Sequence, residues 1–295
     1  MHYYFYPTFI LISLLIIYIS RKYNFFLDQK NQIHKKVLNP NKNFFLGGLI
    51  FFLYITHFLI LNNKFFFLLF LFSIFLLGLL SDLKIINDPK KRFIFQILII
   101  LLFVSILDIR IFSTRLDIVD LYLQNQYLNY FFVVFCLMVF INGGNFIDGL
   151  NTLLITYIIC ILIIFLIFFN NTTLTINNFY ELIFILLFIF ILNSFGIIIL
   201  GDSGAYLISI FLGIYLIDFT NQNYIISPYF VILLLWYPCF ELLFSMIRRV
   251  TSNLETYNPD TNHLHQLLYL KIFKRNKLDL RINHFLVSVL INLYN

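Results

Sequence analysis

Charge is what this chain has least of. Asp, Glu, Lys and Arg make up 12% of its 295 residues, against 61% hydrophobic residues and a mean hydropathy of +0.91. That balance excludes an ordinary water-soluble globule. The chain has 3 cysteines, and Cys136, Cys160 and Cys239 all fall inside apolar runs at no metal-ligand spacing. A zinc cluster or a disulfide framework is therefore excluded, and the three read as small packing residues. Neither a cationic start nor a small-residue cleavage site accompanies the first apolar run, which reads as a retained span rather than a signal peptide. Repeats, long linkers and a second hydrophilic domain are all missing, so one integral membrane domain is expected over 1–295. The net charge of +6 has no soluble basic domain to carry it. A nucleic-acid partner is excluded on that ground, and the charge is assigned to membrane topology and anionic lipid headgroups.

What fills the chain is apolar runs of about 16–20 residues, close to what a ~30 Å hydrocarbon core requires of a helix. They predict an all-α, polytopic membrane protein with about ten spans, near 3–20, 44–61, 64–80, 93–109, 127–142, 150–169, 180–200, 204–219, 228–247 and 279–294. Basic residues orient them. Loop 21–43 holds Arg21, Lys22, Lys30, Lys35, Lys36 and Lys42; loop 81–92 holds Lys84, Lys90, Lys91 and Arg92. Loop 248–278 holds Arg248, Arg249, Lys271, Lys274, Arg275 and Lys277, whereas the opposite face has Lys64, Arg110 and Arg115. The positive-inside rule makes the rich face cytoplasmic and leaves both termini outside.

Four polar islands interrupt the apolar runs, and all map to the cytoplasmic face. Gly201-Asp202-Ser203-Gly204 permits a tight turn and close approach of a ligand; its plain reading is a helix cap from Asp202 or Ser203. Asn142-Gly-Gly-Asn145-Phe-Ile-Asp148-Gly149-Leu-Asn151 spaces amides and a carboxylate three apart, near one face of a helix. Such groups offer oxygen ligands to a hard cation and acceptors to a nucleobase, or simply cap a Gly-rich connection. Ser81-Asp82, followed by Lys84, Lys90, Lys91 and Arg92, sets a carboxylate beside cations able to hold a phosphate headgroup. The last island carries His263 and His265 after Arg248-Arg249. With no third zinc ligand at a matching spacing, it fits phosphate or sugar recognition. Glu241 is an intramembrane acid, expected to be functional or paired, and Gly47-Gly48 reads as close helix packing. His2, His57 and His284 read as incidental.

In this order, the islands resemble the polyprenyl-phosphate N-acetylhexosamine-1-phosphate transferases, over Gly47 to Leu268. Members of that family move a sugar 1-phosphate from a UDP-sugar to a phosphorylated polyprenol and release UMP. Its paired acids match Ser81-Asp82, with the first acid replaced. Its Asn-x-x-Asn-x-x-Asp-Gly turn matches Asn142, Asn145, Asp148 and Gly149, with Asn151 at its usual second acid. Its Gly-Asp-x-Gly matches Gly201, Asp202 and Gly204, and its His-x-His-His matches His263, His265 and Gln266.

The resemblance implies magnesium, or manganese in its place, on Asp202 and Asn145. It implies undecaprenyl phosphate held by Lys84, Lys90 and Lys91, with Asp82 orienting or deprotonating it. Asn142, Asp148 and Asn151 would bind uridine or order the metal site, and Arg248, Arg249, His263 and His265 would read the sugar and its phosphate. A UDP-N-acetylhexosamine donor, UDP-GlcNAc or a relative, is expected at the bacterial inner membrane, and a homodimer is allowed. The alternatives are the peptidoglycan branch of the family, a non-catalytic scaffold and a nucleotide-sugar transporter.

Overall fold

The computed structural model of the chain describes residues 2–27, 44–169, 176–251, 263–276 and 279–294. Lys30, Lys35, Lys36, Lys42, Lys277 and the 258–262 part of the last island lie outside the described residues. The described chain forms thirteen helices: α1 (His2–Tyr23), α2 (Gly47–Leu61), α3 (Phe65–Asp82), α4 (Pro89–Ile106), α5 (Asp117–Leu123), α6 (Gln126–Ile147), α7 (Leu153–Phe168), α8 (Ile176–Ser194), α9 (Gly201–Gln222), α10 (Pro228–Leu234), α11 (Trp236–Thr251), α12 (Leu264–Asn276) and α13 (Leu280–Asn292). Among the described residues there is no strand, only isolated bridges from Leu27 to Phe44 and from Phe45 to Ile199.

Each expected apolar run falls on a helix or a helix pair, but length divides them. Among the described residues four helices are long and apolar enough to cross a membrane, or five if α10 and α11, bent by 72°, form one broken span. The ten-span expectation is not met by length and composition. α2, α7 and α13 have 15, 16 and 13 residues, short of a full crossing. α4 has 18, but Lys90, Lys91 and Arg92 occupy its first turn. The apolar exterior, with Leu11, Phe66, Phe131 and Ile167 all exposed, belongs to a membrane protein.

The expected run at 180–200 ends early. α8 stops at Ser194, and Gly196 follows at φ +65°. Residues 197–200 then pass beside 44–48: Ile199 donates its N–H to the Phe44 carbonyl, and Gly47 donates to Ile199. This short link delivers the chain to the start of α9, the most buried of the long apolar helices, which packs against α2, α3 and α6. Gly47 and Gly48 on α2 lie against that start, as packing glycines should. Gly78 on α3 comes closest to the start of α9: a Cβ there would overlap the Ser203 backbone.

Overpacking of this kind costs about 1–3 kcal/mol. Gly78→Ala is accordingly expected to lower the melting temperature of the detergent-solubilised protein, followed by intrinsic fluorescence. An unchanged melting temperature would mean that α3 and α9 are not this close.

Candidate active site

The first amides of a helix have no intrahelical acceptor and form its positive end. α9 meets this need in an unusual way. Its preceding residue Leu200 supplies no side-chain cap, and neither Asp202 nor Ser203 caps it. Instead Asp82, the last residue of α3, reaches across. Its carboxylate accepts hydrogen bonds from Asp202 N (2.8 Å), Ser203 N (3.0 Å) and Ser203 Oγ (2.7 Å). Gly201, at φ +71°, leaves room for this: a Cβ there would sit 2.6 Å from Asp82 Oδ2. The local cap expected of Gly-Asp-Ser-Gly is thus replaced by a cap from another island.

With its backbone fixed, Asp202 turns its side chain toward α3 and α4. Its Oδ2 accepts from Ser81 Oγ at 2.5 Å and from Arg92 Nη1 at 2.7 Å, and Arg92 Nη1 also donates to Ser81 Oγ at 2.6 Å. The Arg92–Asp202 ion pair is about a quarter exposed on each side, open to a ligand but partly desolvated. Arg92 entered the sequence reading only as one cation of a cluster. Its register on α4 is what singles it out: Asp88 caps the helix, Lys90 and Lys91 are exposed, and Arg92 points inward. One turn further along, Gln96 is almost fully buried and accepts from Asn142 Nδ2 at 3.1 Å. Gln96 also lies beside the Tyr206 hydroxyl, one turn beyond Asp202 on α9. A lone amide inside an apolar helix was the available signal for it.

Asn142 therefore joins the Asp202 side of the site. Asn145 lies about one turn nearer the end of α6 than Asn142. Asn145 is half-buried and makes no hydrogen bond to the described residues. Asp148 follows as the C-terminal cap residue of α6. Asn151 is directed elsewhere: it donates to the Asn193 carbonyl at 3.4 Å, while Asn193 Oδ1 accepts from Thr152 N at 2.6 Å.

The histidine side is anchored by Glu241. Its two carboxylate oxygens accept from Leu264 N (2.8 Å) and pair with His263 Nδ1 (2.9 Å), with both side chains buried. His265 Nδ1 meets the Tyr237 hydroxyl at 3.1 Å. Among the described residues His265 Nε2 and Gln266 Oε1 are buried without a hydrogen-bond partner, and the His265 and Gln266 side chains lie against Gly149, just past the end of α6. The His263 ring stands 5.2 Å from the Phe146 ring, and the Arg249 guanidinium 5.8 Å from it. The last two turns of α6 thus touch both sides of the site. Arg248 instead stacks over Phe244, and Lys84 is exposed with Lys90 and Lys91 at the rim.

The donor set tests for a metal. Among the described residues no group of three or more His, Cys, Asp or Glu converges to hold an ion. Asp202 Oδ1 makes no hydrogen bond to the described residues, and neither does the Asn145 amide. One carboxylate oxygen and one amide oxygen suit magnesium, which keeps waters and takes substrate phosphates, and do not suit an all-protein cage.

A helical membrane protein with an Asp–Arg pair, amides and buried histidines gathered at helix ends has the features of an enzyme acting on anionic substrates beside a bilayer. The chain belongs to glycosyl transferase family 4, the family of polyprenyl-phosphate hexosamine-1-phosphate transferases, whose model matches residues 64–220. The match takes in Ser81, Asp82, Arg92, the Asn142–Asn151 turn and Asp202, and ends before the histidine loop. No curated protein matches the chain. Members of the family are phosphosugar transferases, and the family implies a nucleotide-sugar donor and a polyprenyl phosphate acceptor.

Burial, with the charge of His263 second, pushes the His265 imidazole from 6.5 down to about 3. It is neutral in the folded chain, so it offers hydrogen bonds rather than charge. The unfolded chain binds a proton near pH 6.5 that the folded chain refuses, so this stability is complete above pH 6.5 and is lost as pH falls from there toward 3. The slope limit is about 1.4 kcal/mol per pH unit. His265→Gln is expected to flatten the fall in melting temperature between pH 7 and pH 5; an equal fall in both proteins would contradict a buried neutral His265.

Proposed function

We propose that the chain transfers N-acetylhexosamine 1-phosphate, in the first instance GlcNAc 1-phosphate, from a UDP-sugar to undecaprenyl phosphate. The reaction releases UMP at the cytoplasmic face of the bacterial inner membrane and begins a cell-surface polysaccharide. The observation that carries this reading is Asp202, held by Asp82 through its backbone and by Arg92 and Ser81 through its side chain.

An oxygen of the lipid phosphate attacks the phosphorus next to the sugar; the bond from that phosphorus to the UMP oxygen breaks, and UMP leaves with the electron pair. A phosphate monoester has its second pKa near 6, so the acceptor is largely dianionic at neutral pH and needs no strong base. Asp82, with both oxygens already accepting hydrogen bonds from α9, serves as a positioning residue for Asp202. Arg92 offers a planar cation to the diphosphate beside that carboxylate. Magnesium on Asp202 and Asn145 would supply further neutralisation of the diphosphate and of the leaving UMP. Lys84, Lys90 and Lys91 hold the lipid phosphate at the rim. Asp148 and Asn142 face the uridine, while Arg249, His263 and His265 read the sugar and its phosphate, with Arg248 at their edge. Asn151 acts through the α6–α7 turn. The loop around His263 is closer to the N-acetylhexosamine branch than to the peptidoglycan branch.

The test is UMP release by purified protein given undecaprenyl phosphate, magnesium and a panel of UDP-sugars. Lipid-dependent release from an N-acetylhexosamine donor is expected, abolished by a chelator and by Asp202→Asn. Arg92→Gln should lose about 10²–10³-fold in kcat, the usual cost of removing a preorganised donor from developing negative charge. Folded protein that releases no UMP from any donor, UDP-MurNAc-pentapeptide included, would overturn the reading.

A further inference from the structure

A well-formed cavity among the described residues lies away from Asp202. It opens at the other end of α9, where α2 and α4 end and α3 begins, and measures about 660 Å³. That is within the range of small-molecule sites. The rise of 1.5 Å per residue puts Asp218 about 24 Å along α9 from Asp202, toward the opposite membrane surface. The cavity walls include Phe66 and Phe211, and its polar lining includes Lys64, Asp108, Arg110 and Asp218.

Two of these charges are satisfied within the protein. Asp108 pairs with Arg110 and accepts from the Tyr130 hydroxyl at 2.6 Å. The hydrogen bond from Arg110 holds the Asp108 carboxyl below the usual carboxylate range, consistent with a settled pair. Lys64 and Asp218 are different. Both line the cavity, both are exposed, and neither forms an ion pair among the described residues, with each other or with anything else. Each also stands at the wrong end of its helix. Lys64 immediately precedes the first turn of α3, where the macrodipole disfavours a cation, and Asp218 lies near the C-terminal end of α9, where it disfavours an anion. The face is otherwise nearly stripped of cations, and Arg115 there is occupied by the Tyr224 carbonyl at 2.5 Å. Among the described residues, one cation and one anion without an ion-pair partner therefore share an aromatic-walled cavity toward a membrane surface.

We propose that this cavity binds a zwitterionic aminophospholipid, with the phosphate at Lys64, the ammonium at Asp218 and the upper acyl chain against Phe66 and Phe211. A net-neutral pair of opposite charges is complementary to a zwitterion and gives a singly anionic lipid no comparable match. The phenyl walls require a chain as well as a headgroup. The site is independent of which sugar is transferred.

Native mass spectrometry of the detergent-solubilised protein tests this with phosphatidylethanolamine and phosphatidylglycerol of identical chains. About one phosphatidylethanolamine per chain should be retained, at least tenfold in preference to phosphatidylglycerol, and soluble glycerophosphoethanolamine should not displace it. Asp218→Asn, an isosteric change at an exposed position, should bring the preference near unity. Phe211→Trp, which fills the cavity and keeps both charges, should lower retention tenfold; Lys64→Gln, read the same way, replaces it if that variant fails to fold. Equal retention of the two lipids by the unaltered protein, or a preference that survives Asp218→Asn, would overturn the zwitterion. Displacement by the soluble headgroup would overturn the lipid as occupant, and full retention in the cavity-filling variant would overturn the site.

Discussion

The carboxylate of Asp82 on the first amides of α9 is the contact on which the rest of this structure depends. α9 begins packed against α2 and α3, with Ser203 fully buried, so its open N–H groups need acceptors from the protein. Hydrogen bonds to a charged group are worth about 1.5–3 kcal/mol net, and orphaning a buried donor costs as much again. One side chain of α3 accepts from two amides and a hydroxyl and so settles where the helix starts and how it is turned about its axis. The small residues of α2 and α3 matter because they let that start come within reach.

Everything distinctive in the site follows from that register. Asp202 is set facing α4, Arg92 answers it, and Ser81 bridges the pair where the family pattern has an acid. A hydroxyl at Ser81 puts a neutral donor, not a further carboxylate, beside Asp202, whose side chain then faces the Arg92 guanidinium. α6 links this centre to the histidine loop, because Asn142 reaches Gln96 while Phe146 and Gly149 lie against His263 and His265. Glu241 fixes the far edge from within the bent α10–α11 pair. The same helix that begins at Gly201 ends at the cavity lined by Lys64 and Asp218, so one element runs between the two places.

Much of this was legible in the sequence because it is written locally. Apolar runs located the helices, three-residue spacing placed Asn142 and Asn145 on one face, and Glu241 stood out as an acid in an apolar helix, to be functional or paired; it is paired with His263. The rest depends on contacts between distant segments. Asp82 and Asp202 are 120 residues apart, and nothing near either says that one caps the helix of the other. Arg92 could not be told from Lys90 and Lys91 without the inward turn of α4. Asn151 carries an amide in a polar motif, yet the turn commits it to Asn193. The early end of α8 depends on pairing with residues 44–48, a contact that hydropathy does not register.

The central claim is that Asp82 acts on the reaction only by placing Asp202. A double-mutant cycle on lipid-dependent UMP release, with Asp82→Asn and Asp202→Glu singly and together, tests it most directly. If the two residues act through one placement, the double variant should be little slower than the worse single variant. Losses that multiply would show that Asp82 contributes chemistry of its own and would contradict the claim.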